Sequence, residues 1–295
     1  MSIDISRRLA IVGAAAVIAG LAAPGAHAKP AKYGNPQLLM TTAGLQALLG
    51  QADIVIVDVR PKAAYDEGHL PEAVHLGADD IIDPNSHVEG ELQPLPVLAE
   101  MLGDRGINAK TSVVLYDDQG GFPAARLFWL LEYFGHRNAS ILNGGITKWQ
   151  QEGREMSTAI PIVDRPTTFP LTLTERRHAT ADWILDRQAD PSVVVIDVRP
   201  AKMYAAGHIP WARSIPWSDN LGTDQTMKTA DDLIRHFAAH GVTPDKNIVV
   251  HCQQGKAAAH SYFTLRLLGY PRVRSYDRSW AEWGAADDLP KVVEN

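Results

Sequence analysis

Two copies of one α/β domain, each built on a mostly parallel central sheet flanked by helices, are what the sequence predicts. Three observations carry that expectation: a long internal repeat, Val- and Ile-rich runs of strand length, and helical patterns between those runs. The repeat pairs IVIVDVRPKAAYDEGHLPEAVHL at 54–76 with VVVIDVRPAKMYAAGHIPWARSI at 193–215. A second pair follows in the same order, SVVLYDDQGGFPAARLFWLLEYFGH from Ser112 and NIVVHCQQGKAAAHSYFTLRLLGYP from Asn247. Each is followed by an aromatic-containing segment, NGGITKWQQEG or YDRSWAEWGAA. Runs at 54–57, 113–115, 193–196 and 248–250 are apolar without alternation, as strands buried on both faces require. Leu127, Leu130, Leu131 and Phe134 recur at helical spacing before Gly135, and the matching stretch of the second copy ends at Gly269. Glycine suits the left-handed residue that ends a helix. Strands alternating with helices imply a parallel sheet in each copy.

The 295 residues divide in order into a leader, 1–28, a first domain, 29–155, a linker, 156–172, and a second domain, 173–295. In the leader, Arg7 and Arg8 precede an Ala-rich apolar run at 9–23, and Ala26-His27-Ala28 offers small residues for cleavage. This pattern predicts a signal peptide cleaved near Ala28 and a periplasmic or secreted protein. The string SRRLAIV suits either a general secretory or a twin-arginine route. The apolar run is shorter than the roughly 20 residues of a spanning helix, so no stable membrane span is expected after cleavage. The linker is rich in Pro and Thr and has no helical period.

With a formal charge of −6 and no long basic run, the chain lacks the features that neutralise phosphates, and a nucleic-acid partner is not expected. Small anions can still be held by local charge. There is one cysteine, Cys252. It cannot form an internal disulfide, and a cysteine zinc cluster needs several ligands, so neither a metal nor a cofactor is expected. A lone exported thiol is either buried and inert or kept for its reactivity.

The two copies act as controls for each other. Asp58 with Arg60 and Asp197 with Arg199 occupy matching strand ends, which favours structural ion pairs. His69 and His208, each in Gly-His-Leu/Ile-Pro, read as turn residues with satisfied rings. The corner between strand, loop and helix differs: the first copy has Asp117 where the second has Cys252. Ligands in such sheets sit at the carboxyl ends of strands. There Gln253, Gln254, Gly255 and Lys256 form a loop, and Ala257 and Ala258 open a helix. Loop N–H groups and the helix N-terminus would converge on Cys252 and favour its thiolate, which is the nucleophile. Lys256, the loop's only cation, is expected to add to this, and Gly255 lets the backbone turn tightly around a small anion or a terminal sulfur. Trp280 and Trp283 are expected to pack in the core or at an interface.

These motifs resemble the tandem rhodanese-domain sulfurtransferases, which include thiosulfate and 3-mercaptopyruvate sulfurtransferases. The resemblance rests on Asp-Val-Arg-Pro with Gly-His-Leu/Ile-Pro in both halves, on the loop Cys252-Gln-Gln-Gly-Lys-Ala-Ala, and on Tyr276-Asp-Arg-Ser-Trp-Ala-Glu-Trp283. It implies a catalytically silent first domain and a second domain whose Cys252 takes sulfur from a small anionic donor as a persulfide, the covalent intermediate. Cyanide or a thiol would then remove it. Lys256, Lys202 and Arg199 are the candidate substrate-binding cations. The loop departs from the family, because thiosulfate enzymes carry basic residues after the cysteine and mercaptopyruvate enzymes small ones, whereas Gln253 and Gln254 stand here. In the family's Arg-x₃-Arg pattern, Met203 replaces the second Arg. The segment Asp83-Pro-Asn-Ser-His87 resembles one that faces the site from the first domain. A cysteine phosphatase would need a longer loop and an Arg where Ala258 stands. A non-catalytic sulfur carrier or partner-binding protein of the cell envelope is the alternative, and no protein partner is indicated.

Overall fold

The structure, a computed structural model, describes residues 32–163 and 166–293; the expected leader at 1–28 lies outside them. Among the described residues no helix is long and apolar enough to cross a membrane. The first half contains β1 (Leu39–Met40), β2 (Ile54–Asp58), β3 (Val74–His75), β4 (Ser112–Tyr116) and β5 (Ala139–Leu142). Its helices are α1 (Thr42–Gln46), α2 (Lys62–Glu67), α3 (Leu95–Asp104), α4 (Phe122–Tyr133) and α5 (Gly145–Gln151). The second half contains β6 (Val193–Asp197), β7 (Arg213–Ser214), β8 (Asn247–His251) and β9 (Val273–Ser275). Its helices are α6 (Ala181–Leu185), α7 (Ala201–Ala205), α8 (Ala230–Ala239), α9 (Lys256–Leu267) and α10 (Ser279–Trp283).

All named strand pairs are parallel, in the orders β1-β5-β4-β2-β3 and β7-β6-β8-β9. The sheets repeat each other in register, Asp58 pairing with Tyr116 and Asp197 with His251. The counterpart of β1 has shrunk to a single parallel bridge between His178 and Ser275. Both faces of the central strands are covered, which explains their unbroken Val and Ile runs. On the outer faces the two halves keep separate apolar clusters, around Trp149 in one and Trp283 in the other. The inner faces share one cluster that runs through α4 and α9, with Phe128 and Phe263 edge to face at 5.0 Å.

Both α4 and α9 start at left-handed glycines, Gly121 (φ 90°) and Gly255 (φ 85°), directly after the loops that follow β4 and β8. At their far ends each is closed by chain leading into the opposite half. Asn35 donates its N–H to Leu267 O at 3.0 Å and its side-chain amide to Arg266 O at 2.7 Å. Thr174 donates to Tyr133 O at 2.7 Å and Thr172 to Phe134 O at 3.2 Å. Between the helices, Glu132 on α4 accepts from Arg266 Nε and Nη2 on α9, both at 3.0 Å, and from the Tyr262 hydroxyl. Arg177 Nε lies 3.7 Å from the same carboxylate. Removing it leaves Arg266 Nε and Nη2 and a buried phenol without their acceptor, and Arg177 without its nearby counter-charge. Glu132→Ala should therefore lower the unfolding free energy by about 3 kcal/mol in a urea titration, and a change below ~1 kcal/mol would mean that the cluster is not what joins the helices.

Candidate functional site

Cys252 directly follows β8, an interior strand, and is 3% exposed. Gly255 N–H points at its Sγ from 3.1 Å, closing the loop over the sulfur. The Cys252 N–H donates to Ser279 Oγ at 3.0 Å, and Trp280 N–H donates to the Cys252 carbonyl at 3.0 Å. Ala281 N–H does the same for Gln253 O at 2.9 Å, so the start of α10 pins the loop along two carbonyls. Ser279 is fully buried and held at φ 52°, a left-handed conformation that costs a non-glycine residue about 1 kcal/mol or more. The equivalent residue of the first half is Gly145, at φ 55°. A serine stands in a glycine's position because its hydroxyl, which donates to Tyr276 O at 2.7 Å, accepts from the cysteine's own amide.

The first half supplies the rest of the enclosure. Arg126, fully buried in the apolar helix α4, donates through Nη1 to Gln254 O and through Nη2 to Gly90 O at 2.7 Å. Its Nη2 lies 2.7 Å from Asp277 Oδ1. Burial raises the Asp277 carboxyl to about 6, with Arg126 opposing the rise. Gly255 lies against this pair: a Cβ there would meet Arg126 Nη1 at 2.4 Å and both Asp277 O and Oδ1 at 2.6 Å. The residues that reach the loop from the first half come just after the expected segment 83–87: Gly90 packs on Gln254, and Glu91 pairs with Arg278 at 3.7 Å. His87 lies farther out, in a shallow groove shared with Arg278.

Of the candidate cations, Arg199 is committed to the scaffold. Its Nε and Nη2 bind the Asp197 carboxylate, Nη2 also donates to Gly207 O at 2.6 Å, and the guanidinium lies 4.6 Å from the Trp280 ring centre. Arg60 repeats this on Asp58 and Gly68 O. Only Arg199 Nη1 turns toward the loop, 3.4 Å from Gln253 Oε1. Lys256, expected beside the thiol, pairs with Asp79 of the first half. Lys202 is exposed and has no ion pair among the described residues, and Met203 beside it is 39% exposed. Ala257 and Ala258 form the first turn of α9, Ala258 fully buried. The two histidines of the Gly-His turns are structural, stacked on Tyr65 and Tyr204 with Nδ1 3.0 and 2.9 Å from the carbonyls of those residues. Trp283 is core, as expected.

Sequence reasoning missed four residues: Arg126, Asp277, Ser279 and His251. His251 is fully buried and its Nε2 lies 3.7 Å from Asp197 Oδ2, while burial pushes its pKa down. In the first half Tyr116 holds that place and donates to Asp58 Oδ2 at 2.6 Å. A signal existed for Arg126, a charge in the middle of FPAARLFWLLEY, and for Ser279, set against Gly145.

The matching loop of the first half is equally ordered. Asp117 Oδ1 accepts from Gln119 N at 2.8 Å and Gly121 N at 2.9 Å, and Oδ2 accepts from Ala124 N at 2.9 Å. Burial raises this carboxyl's pKa, and the three N–H groups oppose the rise. Among the described residues no cluster of side chains could hold a metal ion.

Two outcomes follow. Gly255→Ala puts a methyl group onto Arg126 and Asp277 at a positive φ, so it should destabilise by about 2 kcal/mol and slow alkylation of Cys252 by a neutral reagent; a wild-type melting curve would contradict the close approach. Asp277 binds its proton more tightly folded than unfolded, since its pKa rises from 3.8 to about 6. Its contribution to stability is therefore greatest below pH 4 and declines as pH rises through 6. Relative to Asp277→Asn, the wild type should lose about 3 kcal/mol between those limits, and parallel stability profiles would contradict the assignment.

The family profile described as Rhodanese-like domain matches residues 41–152 and 180–286. The chain is 33% identical over 268 residues to the thiosulfate sulfurtransferase of Azotobacter vinelandii, covering 88% of this chain and 98% of the relative. It is 32% identical over 281 residues to the sulfur carrier protein TtuD of Thermus thermophilus, covering 88% and 97%. Among solved structures it resembles SseA from Escherichia coli, described as a 3-mercaptopyruvate sulfotransferase, with a TM-score of 0.76, 28% identity, and coverage of 82% and 98%. Likeness to the anaerobic ergothioneine biosynthesis enzyme of Chlorobium limicola, with a TM-score of 0.79 at 21% identity over 88% of this chain and 71% of that one, is one of fold. With its two parallel sheets, its matched loops and a single cysteine at one of them, the chain belongs to the rhodanese-like domain family and holds two copies of the domain in tandem.

Proposed function

We propose that this chain is a sulfurtransferase that moves a sulfane sulfur from thiosulfate or 3-mercaptopyruvate to cyanide or a thiol acceptor, carrying it as a persulfide on Cys252. The observation that supports this most directly is Cys252 Sγ at the mouth of a parallel sheet with the Gly255 N–H aimed at it from 3.1 Å. A thiolate there attacks the outer sulfur of thiosulfate. The new S–S bond forms as the old one breaks, and sulfite leaves with the electron pair. With mercaptopyruvate the C–S bond breaks instead and the departing carbon takes up a proton, giving pyruvate. Cyanide then attacks the terminal sulfur, thiocyanate departs, and the thiolate is restored. The reaction splits at a covalent intermediate, so ping-pong kinetics are expected.

A second reading has a specific observation behind it. One relative is named a sulfur carrier protein, and the mouth here offers little free charge to a donor anion, because Lys256 is paired with Asp79 and position 203 is Met. A carrier would load sulfur and pass it to a partner protein without fast turnover.

Exposure to thiosulfate or mercaptopyruvate should add one sulfur atom by intact-mass analysis, and addition of cyanide should then release thiocyanate continuously. Cys252→Ser should lower that turnover by about 10³-fold or more. Stoichiometric sulfur loading without turnover would favour the carrier, and no loading with either donor would overturn both readings.

A further inference from the structure

One cavity lies a full helix length from Cys252, where the C-terminal ends of α4 and α9 meet the two lead-in segments. It encloses about 230 Å³. Four guanidiniums line it: Arg137 from the first half, Arg176 and Arg177 from the segment entering the second, and Arg266 from α9. Glu132 is the one carboxylate in the lining. In a chain whose net charge is −6, this is a concentrated excess of positive charge.

Helix ends attract cations, because the last carbonyls carry partial negative charge. That account does not cover all four residues. The carbonyls of Tyr133, Phe134, Arg266 and Leu267 already accept from Thr174, Thr172 and Asn35. Glu132 is engaged by Arg266 and approached by Arg177. Arg137 and Arg176 are exposed at the rim and have no ion pair or hydrogen bond among the described residues. Guanidiniums are weakly hydrated forks that match the oxygens of phosphate-like anions.

We propose that this cavity is a binding site for a small polyanion of the phosphate class, separate from the sulfur-carrying loop. Such an anion would join Arg137 of the first half to Arg176 and Arg266 of the second, bracing the α4–α9 contact from the end opposite Cys252. Neutralising the four guanidiniums together needs two or more negative charges, so a monovalent anion should be a poor substitute.

The test uses inorganic pyrophosphate as probe and thermal unfolding as readout, in EDTA-containing buffer at constant ionic strength set with potassium chloride. Saturating pyrophosphate should raise the melting temperature of the wild type by about 3 °C or more. Cys252→Ser should keep that shift, and R137S/R176S should lose it while retaining thiocyanate production. Absence of a saturable shift in the wild type would overturn the proposal. So would a shift that survives R137S/R176S, or one that disappears in Cys252→Ser, since either would put the anion elsewhere.

Discussion

The packing of α4 on α9 governs the arrangement of everything else in the molecule. Both helices grow out of loops at the ends of interior strands, and each starts at a left-handed glycine. Pressing the two together, with Phe128 against Phe263 and Glu132 against Arg266, brings their N-terminal loops into mutual reach. Neither loop is finished by its own half. Arg126 crosses from α4 to the carbonyl of Gln254, and His260 crosses from α9 to within 3.3 Å of the carbonyl of Gly120. The two crossings are the same contact repeated about an approximate twofold axis.

Divergence between the halves is concentrated where that symmetry touches chemistry. Between the copies, Arg126 corresponds in position to His260, Gly145 to Ser279, Asn143 to Asp277 and Tyr116 to His251. The first three of these give the second-half loop the more charged or more polar surroundings, through Arg126 and Asp277 at one side and Ser279 at the other. Burial holds His260 near 4, so the contact on the Asp117 loop stays uncharged at neutral pH, whereas the contact on the Cys252 loop is a guanidinium. The first domain thus keeps a part in the site although it has no thiol.

Much of this was legible in the sequence because it is local. Strand runs, the repeat and the glycines before α4 and α9 are properties of short segments, and the contrast of Asp117 with Cys252 needs only the alignment of the chain with itself. Expectations about charge fared differently. The sequence predicts that Lys256 supports the thiol from the loop, but as the first residue of α9 it stands at the domain boundary and pairs with Asp79. From sequence Arg199 reads both as scaffold and as anion binder; the buried carboxylate of Asp197 and the carbonyl of Gly207 take up most of its donors. Arg126 and Asp277 could not be paired from sequence, since they meet only when one half is docked on the other.

Asp117 gives the loop of the first half a further meaning. Its carboxylate occupies three backbone N–H groups of the kind that would otherwise converge on a visiting anion. The first loop is in this sense permanently self-liganded, its guest attached by two bonds to the very chain that forms the cradle. That guest is covalently part of the loop, and Gly120, beside it in the same loop, is the surface against which His260 of the opposite half rests.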